Sequence, residues 1–576
     1  MLKGLLSGLL HRRAPQLSGD DAVAQIEQAI RLLHLHDYAG AARICESVLE
    51  RDPRLLKAWE LLGAAALNLG DYSLACERFE QVLALAGDDA QALANAAEAN
   101  RRAERGERAL ELIDRALALK PDFAPFLHIR VLALETCWRS EEALAACRDA
   151  LRLHPDFDRL HTSYTTLLNR AGADPDLILE AHCRWAGCLV KSESPVPPLS
   201  NSPQPGRCLR IGYVSADFRQ HALSDFFLPL IEHHDPARVE VYCYSNTPVA
   251  DEITRRCEEL VPHWREILAL PDAAAEDLIR RDCIDILIDL SGHSSGNRLS
   301  LFARKPAPLQ LTYLGYPGTT GLAQMDYRIT DALADPPGPS EAHYLEQLLR
   351  LPHSLWCFAP PPRMPEVGPL PASITGQLSF GSLNSAFKLT PRLLALWSRL
   401  LVSLPGSRLV LAGVPAGSPR TRIAREFELN GIAPARLEFH GFLSLQEFWA
   451  LHAHIDIALD SFPSNGGATS CETLWLGVPL VNLAGESFLS RAGLSILSAA
   501  GLPELVAHSP EEYLRIAQDL AQDLARLASL RAGMRARLRA SPLLDAGAYT
   551  RDLEDCYRAA WRQWCARQTS EQSGAC

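Results

Sequence analysis

The segment from Asp460 to Trp475 combines residues that could bind an anion. An apolar run of strand length, residues 455–459, precedes it, and residues 471–476 have the composition of a helix start. Small residues lie between them: Gly466, Gly467, Ala468, Thr469 and Ser470. Since a strand, a small-residue turn and a helix N-terminus expose backbone N–H groups, this order predicts a phosphate site. An ordinary strand-to-helix connection would show the same pattern.

Two further groups of polar residues have side chains that could bind other parts of the same phosphate-containing ligand. Glu472 follows one turn into the predicted helix, where its carboxylate could accept hydrogen bonds from ribose hydroxyls. Asn384 and Lys388 lie between a predicted strand and the next helix, and a lysine there can neutralise a diphosphate leaving group. A lysine on an exposed surface is the ordinary alternative. Neither α/β domain contains an Asp-x-Asp motif, so we expect a site without metal.

Polar loops also follow three predicted strands in the middle of the chain. The first contains His221, whose near-neutral pKa would let it take a proton from an attacking hydroxyl. The second, residues 289–298, contains His293, and the third, residues 315–321, contains Tyr316 and Pro317. Loops at successive strand ends can form one wall of a cleft. Capping, packing and plain turn chemistry are the alternatives.

The elements that must position these residues fall into two regions. Three classes of residue recur every 34 positions in the first region: Pro53, Gly87, Pro121 and Pro155; Ala41, Ala75, Ala109 and Ala143; Leu49, Leu83, Leu117 and Leu151. This period predicts a superhelix of tetratricopeptide repeats, whose concave face can hold peptides or proteins. A purely structural helical stack is the alternative.

From residue 208 strands alternate with helices, and the pattern restarts near residue 373. This order predicts two parallel, doubly wound, Rossmann-like domains in tandem. We therefore expect an N-terminal segment at 1–19, the repeats at 20–192, a Pro/Ser-rich linker at 193–207, a first catalytic domain at 208–372, a second domain with a C-terminal helix at 373–568, and a tail at 569–576.

Composition excludes several classes of protein. The chain has 576 residues, 47% of them hydrophobic and 22% charged, which is typical of a globular protein of several domains. Its net charge of -12 argues against a nucleic-acid binder. The 15 cysteines form no CxxC pair, which favours a reducing compartment and no zinc site. No apolar stretch is long enough to span a membrane, so we expect a cytoplasmic protein.

With these residues in place, the chain resembles the O-GlcNAc transferase and SPINDLY family of protein glycosyltransferases. The resemblance covers the repeats, both α/β domains and the C-terminal helix. The matching motifs are the run from Arg210 to Phe218 with His221 after it, Ala307–Gln310, Leu314–Thr319, Met325–Asp331, Leu351–His353, Asn384 with Lys388, Asn465–Gly466 through Glu472–Trp475, Gly477–Pro479, Gly485–Glu486 and Ser490–Arg491.

The resemblance implies a GT-B fold and metal-independent, inverting transfer from a nucleotide sugar. By matched position it implies that Lys388 binds the diphosphate, that Glu472 binds the ribose, and that His221 is a base or contacts the acceptor. Asp277 matches another proposed proton acceptor of the family. Phe442 and Leu443 lie in the stretch that contacts phosphate and uracil in relatives.

This chain also departs from the family pattern. Gly467, Ala468 and Thr469 stand where the animal transferases have His-Thr-Thr, and residues 468–472 are closer to the SPINDLY branch, which transfers fucose from GDP-fucose. We expect a protein O-GlcNAc transferase that uses UDP-GlcNAc, needs no cofactor, and holds protein or peptide acceptors in the repeat groove. The alternatives are O-fucosyl transfer, N-glucosyl transfer, and a repeat scaffold that senses nucleotide sugars without turnover.

Overall fold

The computed structural model describes residues 20–189 and 199–574. The predicted N-terminal segment 1–19, much of the predicted linker and the last two residues of the predicted tail lie outside the described residues. The described chain forms two compact units. One contains residues up to 167 with 415–422, and the other contains residues 168–414 with the chain from 423 onward.

Helices alone fill residues 20–189. They are α1 Asp20–His34, α2 Tyr38–Arg51, α3 Leu56–Leu69, α4 Tyr72–Ala86, α5 Ala90–Arg102, α6 Gly106–Leu119, α7 Ala124–Thr136, α8 Ser140–Leu153, α9 Asp158–Ala171 and α10 Pro175–Leu189. The alanines of the 34-residue period, Ala41, Ala75, Ala109 and Ala143, are all fully buried. Their small side chains let paired helices approach closely, and the predicted repeat superhelix is confirmed.

Seven parallel strands form the first sheet. They are β1 Leu209–Ser215, β2 Val239–Ser245, β3 His263–Glu266, β4 Ile286–Asp289, β5 Leu309–Thr312, β6 Tyr327–Asp331 and β7 Gln347–Leu351, in the order β3-β2-β1-β4-β5-β6-β7. Helices α11 Ser224–His233, α12 Glu252–Leu260, α13 Asp272–Arg281 and α14 Leu299–Phe302 connect them. The sequence did not predict β3, β6 and β7, because charged residues interrupt their apolar pattern.

Six parallel strands form the second sheet. They are β8 Ser379–Ser382, β9 Arg408–Leu411, β10 Leu437–Phe439, β11 Ile457–Leu459, β12 Leu480–Leu483 and β13 Val506–Ala507, in the order β10-β9-β8-β11-β12-β13. The helices are α15 Pro371–Thr375, α16 Pro391–Ser403, α17 Ser418–Leu429, α18 Leu445–Leu451, α19 Ala468–Trp475, α20 Phe488–Ala499, α21 Pro510–Gln522 and α22 Leu524–Arg539. Two doubly wound domains in tandem confirm the predicted fold class.

The last repeat helix packs on the first α/β domain. On α10, Trp185 and Ala186 share a buried core with Val214 of β1 and with two residues of α13, Ala275 and Ile279. The second compact unit accordingly begins at Leu168, within α9, although the sequence placed the end of the repeats at 192. The 34-residue pattern weakens here because these helices pack against a sheet domain and no longer only against other repeats.

The C-terminal helix, α23 Ala546–Gly574, packs on the first sheet. The hydroxyl groups of Tyr557 and Tyr213 lie 3.1 Å apart, and Glu554 Oε1 lies 2.9 Å from His234 Nδ1. The sequence grouped this helix with the second domain and ended it at 568. The structure instead carries it to residue 574, over the opposite domain. Within the described chain, no helix is both long and apolar enough to cross a membrane.

Replacing Trp561 of α23 with alanine should destabilise the protein by about 3–5 kcal/mol, because the indole is fully buried against the first sheet. Its ring stacks on Trp564, which is only partly buried, at a centroid distance of 4.6 Å. Trp564→Ala is therefore the matched control and should lower the free energy of unfolding by less. Urea denaturation of both variants would measure the difference, and equal losses of free energy of unfolding would contradict the packing described here.

Candidate functional site

The second sheet reverses its strand order between β8 and β11, where doubly wound domains bind ligands. Asn384 follows β8 and Asp460 follows β11, so residues 76 positions apart meet at this point. Asn384 Nδ2 donates a hydrogen bond of 3.1 Å to Asp460 Oδ1. The strand order therefore creates the site by bringing the Asn384–Lys388 turn beside the small-residue loop.

Asp460 organises the loop that follows it. Its side chain is fully buried. Oδ1 also accepts from the backbone N–H groups of Ser461 at 2.9 Å and Gly466 at 2.8 Å, and Oδ2 accepts from Asn482 Nδ2 at 2.8 Å. Burial raises the pKa of Asp460, while these bonds and the nearby Lys388 ammonium oppose that rise. The sequence analysis gave Asp460 no role, although a carboxylate directly after a buried strand is a recognisable signal.

Lys388 reaches across the loop from the opposite side. Its Nζ donates to the backbone carbonyl of Asn465 at 2.6 Å and to Asn384 Oδ1 at 3.4 Å. Burial lowers the pKa of Lys388, the Asp460 carboxylate opposes this, and the Arg170 guanidinium lowers it further. The structure thus places a half-buried cation within reach of the backbone that the sequence proposed for phosphate binding.

Helix α19 begins at Ala468, three residues earlier than the sequence predicted, so residues 467–469 supply its first N–H groups. Such groups have no partner within a helix, and in the described chain no side chain caps this one. A side chain at Gly466 would meet Ser470 Oγ at 2.3 Å and Asn384 Oδ1 at 3.2 Å. One at Gly467 would meet the Trp356 ring at 3.3 Å. Small residues are therefore required where a phosphate would approach.

Glu472 lies one turn into α19 and is nearly buried. The indole N–H of Trp449, on α18, donates to its Oε1 at 3.1 Å and leaves Oε2 for another donor. Burial raises the pKa of Glu472, and this bond lowers it. Across from it, burial and the Glu472 charge raise the pKa of Asp225, on α11, to about 7. The sequence analysis missed both Trp449 and Asp225, which no local motif marks.

Phe442 and Leu443 lie in the loop between β10 and α18. The Phe442 ring is 63% exposed, which suits an aromatic surface that could stack on a base. Leu443 is half-buried. Their role in contacting a nucleotide remains a prediction.

His221 lies in the loop after β1, at the carboxyl edge of the first sheet, and its side chain is 44% exposed. Its Nδ1 accepts a hydrogen bond of 3.2 Å from the backbone N–H of Leu223. Burial lowers the pKa of His221, and the charge of Asp217 opposes this. A neutral ring whose Nδ1 accepts carries its proton on Nε2, so His221 presents a hydrogen-bond donor to the solvent side.

Asp277 lies on α13, and the structure gives no support for a role in proton transfer. Ala275 and Ile279 of the same helix are buried, while Asp277 is exposed on the opposite face. It borders an open surface depression with Arg280 and Arg281.

His293 and Tyr316 are packing residues and do not form a free cleft wall. The His293 ring contacts Trp185 and His182 of α10, with centroid distances of 4.2 Å and 4.7 Å. The Tyr316 hydroxyl accepts from Asn169 Nδ2 at 2.9 Å and lies 3.0 Å from His182 Nε2.

Burial holds the pKa of His182 at about 4 and that of His293 well below its usual value, so both rings are neutral. The sequence could not reveal that the final repeat helix covers these loops. Pro317, between them, is half-buried, and its place in the cleft remains a prediction.

Among residues 20–189 and 199–574, no three histidine, cysteine or carboxylate side chains cluster in a way that could hold a metal ion. The expectation of metal-independent chemistry stays a prediction that needs a direct test.

Replacing Asp460 with asparagine should destabilise the protein by about 2 kcal/mol or more, since the new amide nitrogen would face the Asn482 amide, donor against donor. Urea denaturation measures the loss. Asn482→Ala removes the opposing donor, so Asp460→Asn should lower the free energy of unfolding by less when it is made in the Asn482→Ala variant. If Asp460→Asn lowers it by the same amount in both backgrounds, the contact with Asn482 is not the cause of the loss.

Comparison with known proteins agrees with this architecture. The sequence profile of glycosyl transferase family 41 matches residues 191–358 and 374–553. A probable UDP-N-acetylglucosamine–peptide N-acetylglucosaminyltransferase SPINDLY from Petunia hybrida is 36% identical over 401 residues, which are 68% of this chain and 43% of that protein. A UDP-N-acetylglucosamine–peptide N-acetylglucosaminyltransferase from Caenorhabditis elegans is 25% identical over 63% of this chain and 41% of its own length. The chain thus spans less than half the length of these relatives.

Among solved structures, a mutant of an O-GlcNAc transferase from Thermobaculum terrenum superimposes with a TM-score of 0.83 at 38% identity. The match covers 89% of this chain and 98% of the other. It extends over both α/β domains and into the repeats, since neither part alone is that long. The family profile covers more than half of the sequence, and the same motifs form the site described above. The chain belongs to glycosyltransferase family 41.

Proposed function

We propose that this protein transfers N-acetylglucosamine from UDP-GlcNAc to serine or threonine hydroxyls of proteins, with inversion at the anomeric carbon and without a metal ion. The observation that carries the proposal is the meeting of Lys388, Asn384 and the N-terminus of α19 at the strand-order reversal of the second sheet. The names of the relatives support the choice of UDP-GlcNAc among nucleotide sugars.

The leaving diphosphate determines most of the chemistry. The acceptor oxygen attacks the anomeric carbon, the bond from that carbon to the diphosphate oxygen breaks, and the hydroxyl proton passes to water. Lys388 and the N–H groups of residues 467–469 would stabilise the negative charge that accumulates on UDP. Glu472, oriented by Trp449, would accept hydrogen bonds from the ribose and fix the position of the nucleotide.

His221 would act on the opposite side of the reacting carbon, because it lies on the first domain. Its Nε2–H is suited to hold the acceptor or the sugar by donating a hydrogen bond. This assignment favours a positioning role over that of a general base. A base must offer an unprotonated nitrogen, and in this structure the unprotonated nitrogen is the one bound to the Leu223 backbone.

The decisive experiment supplies radiolabelled UDP-GlcNAc, GDP-fucose and UDP-glucose in parallel to the purified protein with a bacterial protein extract, each in excess EDTA. Transfer from UDP-GlcNAc alone, to alkali-labile serine or threonine linkages, is the expected result. Label from GDP-fucose, or label on asparagine from UDP-glucose, would assign the alternative donors. Nucleotide binding with no transfer to any acceptor would favour a sensing scaffold, and activity restored only by added manganese would refute the metal-free mechanism.

Lys388→Ala should lower kcat roughly 100-fold, because one charged contact to a leaving group contributes about 3 kcal/mol to the transition state. Lys120→Ala, which removes an exposed lysine in the repeats, is the control for loss of charge and should leave kcat unchanged. Steady-state kinetics with UDP-GlcNAc measures both. A kcat for Lys388→Ala within a few-fold of the wild type would remove Lys388 from the reaction.

His221→Ala should lower kcat more than it lowers UDP affinity, since the residue lies on the domain opposite the nucleotide loops. His221→Gln should retain part of the rate because its amide can still donate a hydrogen bond. Kinetics and UDP titration together make the distinction. If UDP affinity collapses while kcat at saturation survives, His221 binds the donor and takes no part in the transfer.

We also propose that the concave face of the repeats holds protein acceptors, since it is the large binding surface that this fold provides. A chain that starts at Asp158 would keep α9, whose end from Leu168 onward lies in the second compact unit, and α10, which lies in that unit entirely. It should bind UDP like the full chain but lose transfer to whole proteins, as measured by labelling of the same extract. Full labelling by the shortened chain would assign the repeats to another task.

Nine of the 14 described cysteines are buried, as expected for thiols in a reducing compartment, and this supports a cytoplasmic location.

A further inference from the structure

The start of α11 carries a carboxyl group that the proposed reaction does not use. Asp225 is the second residue of this helix and is half-buried. Its backbone carbonyl accepts a hydrogen bond of 2.7 Å from the N–H of Ala359, but its side chain forms no hydrogen bond or ion pair with another residue of the described chain. Such a carboxyl group is unusual, because no hydrogen bond within the protein replaces the hydration that it has lost.

Asp225 lies against the start of α19, although the two helices belong to different α/β domains. The ring of Phe226, the next residue in the chain, packs against Trp356 at a centroid distance of 5.6 Å. The same Trp356 ring would meet a side chain at Gly467 at 3.3 Å. Trp356 therefore connects the beginnings of both helices. Its indole N–H is buried and has no partner among the residues that the structure describes.

The charges at this contact agree with the packing. Burial and then the Glu472 charge raise the pKa of Asp225 to about 7. Burial, followed by the charges of Glu472 and Asp225, also raises the pKa of the Cys471 thiol on α19. Asp225 thus faces the carboxylate that the proposed function assigns to the ribose. Two carboxyl groups in one place repel each other when both are ionised, unless a ligand with hydrogen-bond donors lies between them.

A ribose diol has the chemistry that this pair of carboxyl groups requires. Each of its two neighbouring hydroxyls can donate a hydrogen bond to a carboxylate, and a hydroxyl can also accept one from a protonated carboxyl group. A pKa near 7 lets the Asp225 carboxyl take either part at neutral pH. A phosphate would be repelled by both groups, so the part of the donor that suits this position is the sugar ring beside the diphosphate.

We propose that Asp225 is a second ligand of the donor's ribose, so that the ribose hydroxyls are held between Asp225 of the first α/β domain and Glu472 of the second. The inference rests on the proposed function, because it requires a nucleotide donor. It deepens that function by giving the first domain a direct part in recognising the nucleotide. The protein then selects ribonucleotides over their deoxy analogues through both domains.

Calorimetric titration of the full chain with UDP and with 2′,3′-dideoxy-UDP tests the proposal. The wild type should bind UDP more tightly, because the analogue lacks both ribose hydroxyls. Asp225→Ala should weaken UDP binding roughly 10- to 100-fold, the effect of losing a hydrogen bond to a charged group, and should leave binding of the analogue unchanged. Glu232→Ala is the matched control. Glu232 lies on the same helix, is paired with Arg256 at 2.9 Å, and its loss should change neither affinity.

Each outcome leads to a distinct conclusion. If the wild type binds neither ligand, the proposed donor class fails and this inference fails with it. If the wild type binds UDP and Asp225→Ala binds it equally well, the inference alone is overturned. Equal affinities of the wild type for both ligands, or equal losses for both in Asp225→Ala, would also overturn it, because the ribose hydroxyls would then play no part.

A titration with UDP-GlcNAc separates the ribose from the transferred sugar. Asp225→Ala should lower the affinity for UDP-GlcNAc by the same factor as that for UDP. A loss with UDP-GlcNAc alone would assign Asp225 to the transferred sugar and overturn its place at the ribose. Should Asp225→Ala not fold, Asp225→Ser, which keeps a polar group at the start of the helix on a shorter side chain, is judged by the same criteria.

Discussion

The buried carboxylate of Asp460 is the constraint on which the donor site depends. A charge without contact to water must be matched by hydrogen-bond donors, and here they come from two backbone N–H groups and the amides of Asn384 and Asn482. These donors lie after β8, after β11 and within β12. Satisfying one carboxylate therefore fixes the relative positions of the small-residue loop, the Lys388 turn and β12.

The same network determines the state of Lys388. Removing an ammonium partly from water is costly, and the Asp460 carboxylate offsets part of that cost without forming a direct salt bridge to Lys388. The lysine keeps its remaining donor capacity for a ligand. A direct ion pair would have satisfied the lysine internally and reduced its value for binding a diphosphate.

Helix α10 joins the first α/β domain through a packed core. Neutral His182 and His293, with Trp185, fill the space between α10 and the loops of the first sheet. Two of the residues there, His293 and Tyr316, were expected at an open cleft. In the structure the Tyr316 hydroxyl lies 3.0 Å from His182 Nε2, and His293 Nε2 lies 2.9 Å from the Thr320 carbonyl oxygen. These buried contacts make α10 part of the second compact unit.

The sequence alone determined the 34-residue repeat, the two doubly wound domains and the loops that carry Lys388, Glu472 and His221, because periodicity and strand-end chemistry are local signals. Only the tertiary structure decided which loops meet. It gave Asp460 and Trp449 their roles, placed Asp277 on an outer helix face, covered His293 and Tyr316 with α10, and moved the C-terminal helix to the first sheet. Each of these depends on contacts between residues far apart in the chain. Strand order and helix docking set such contacts, and they leave no pattern in neighbouring residues.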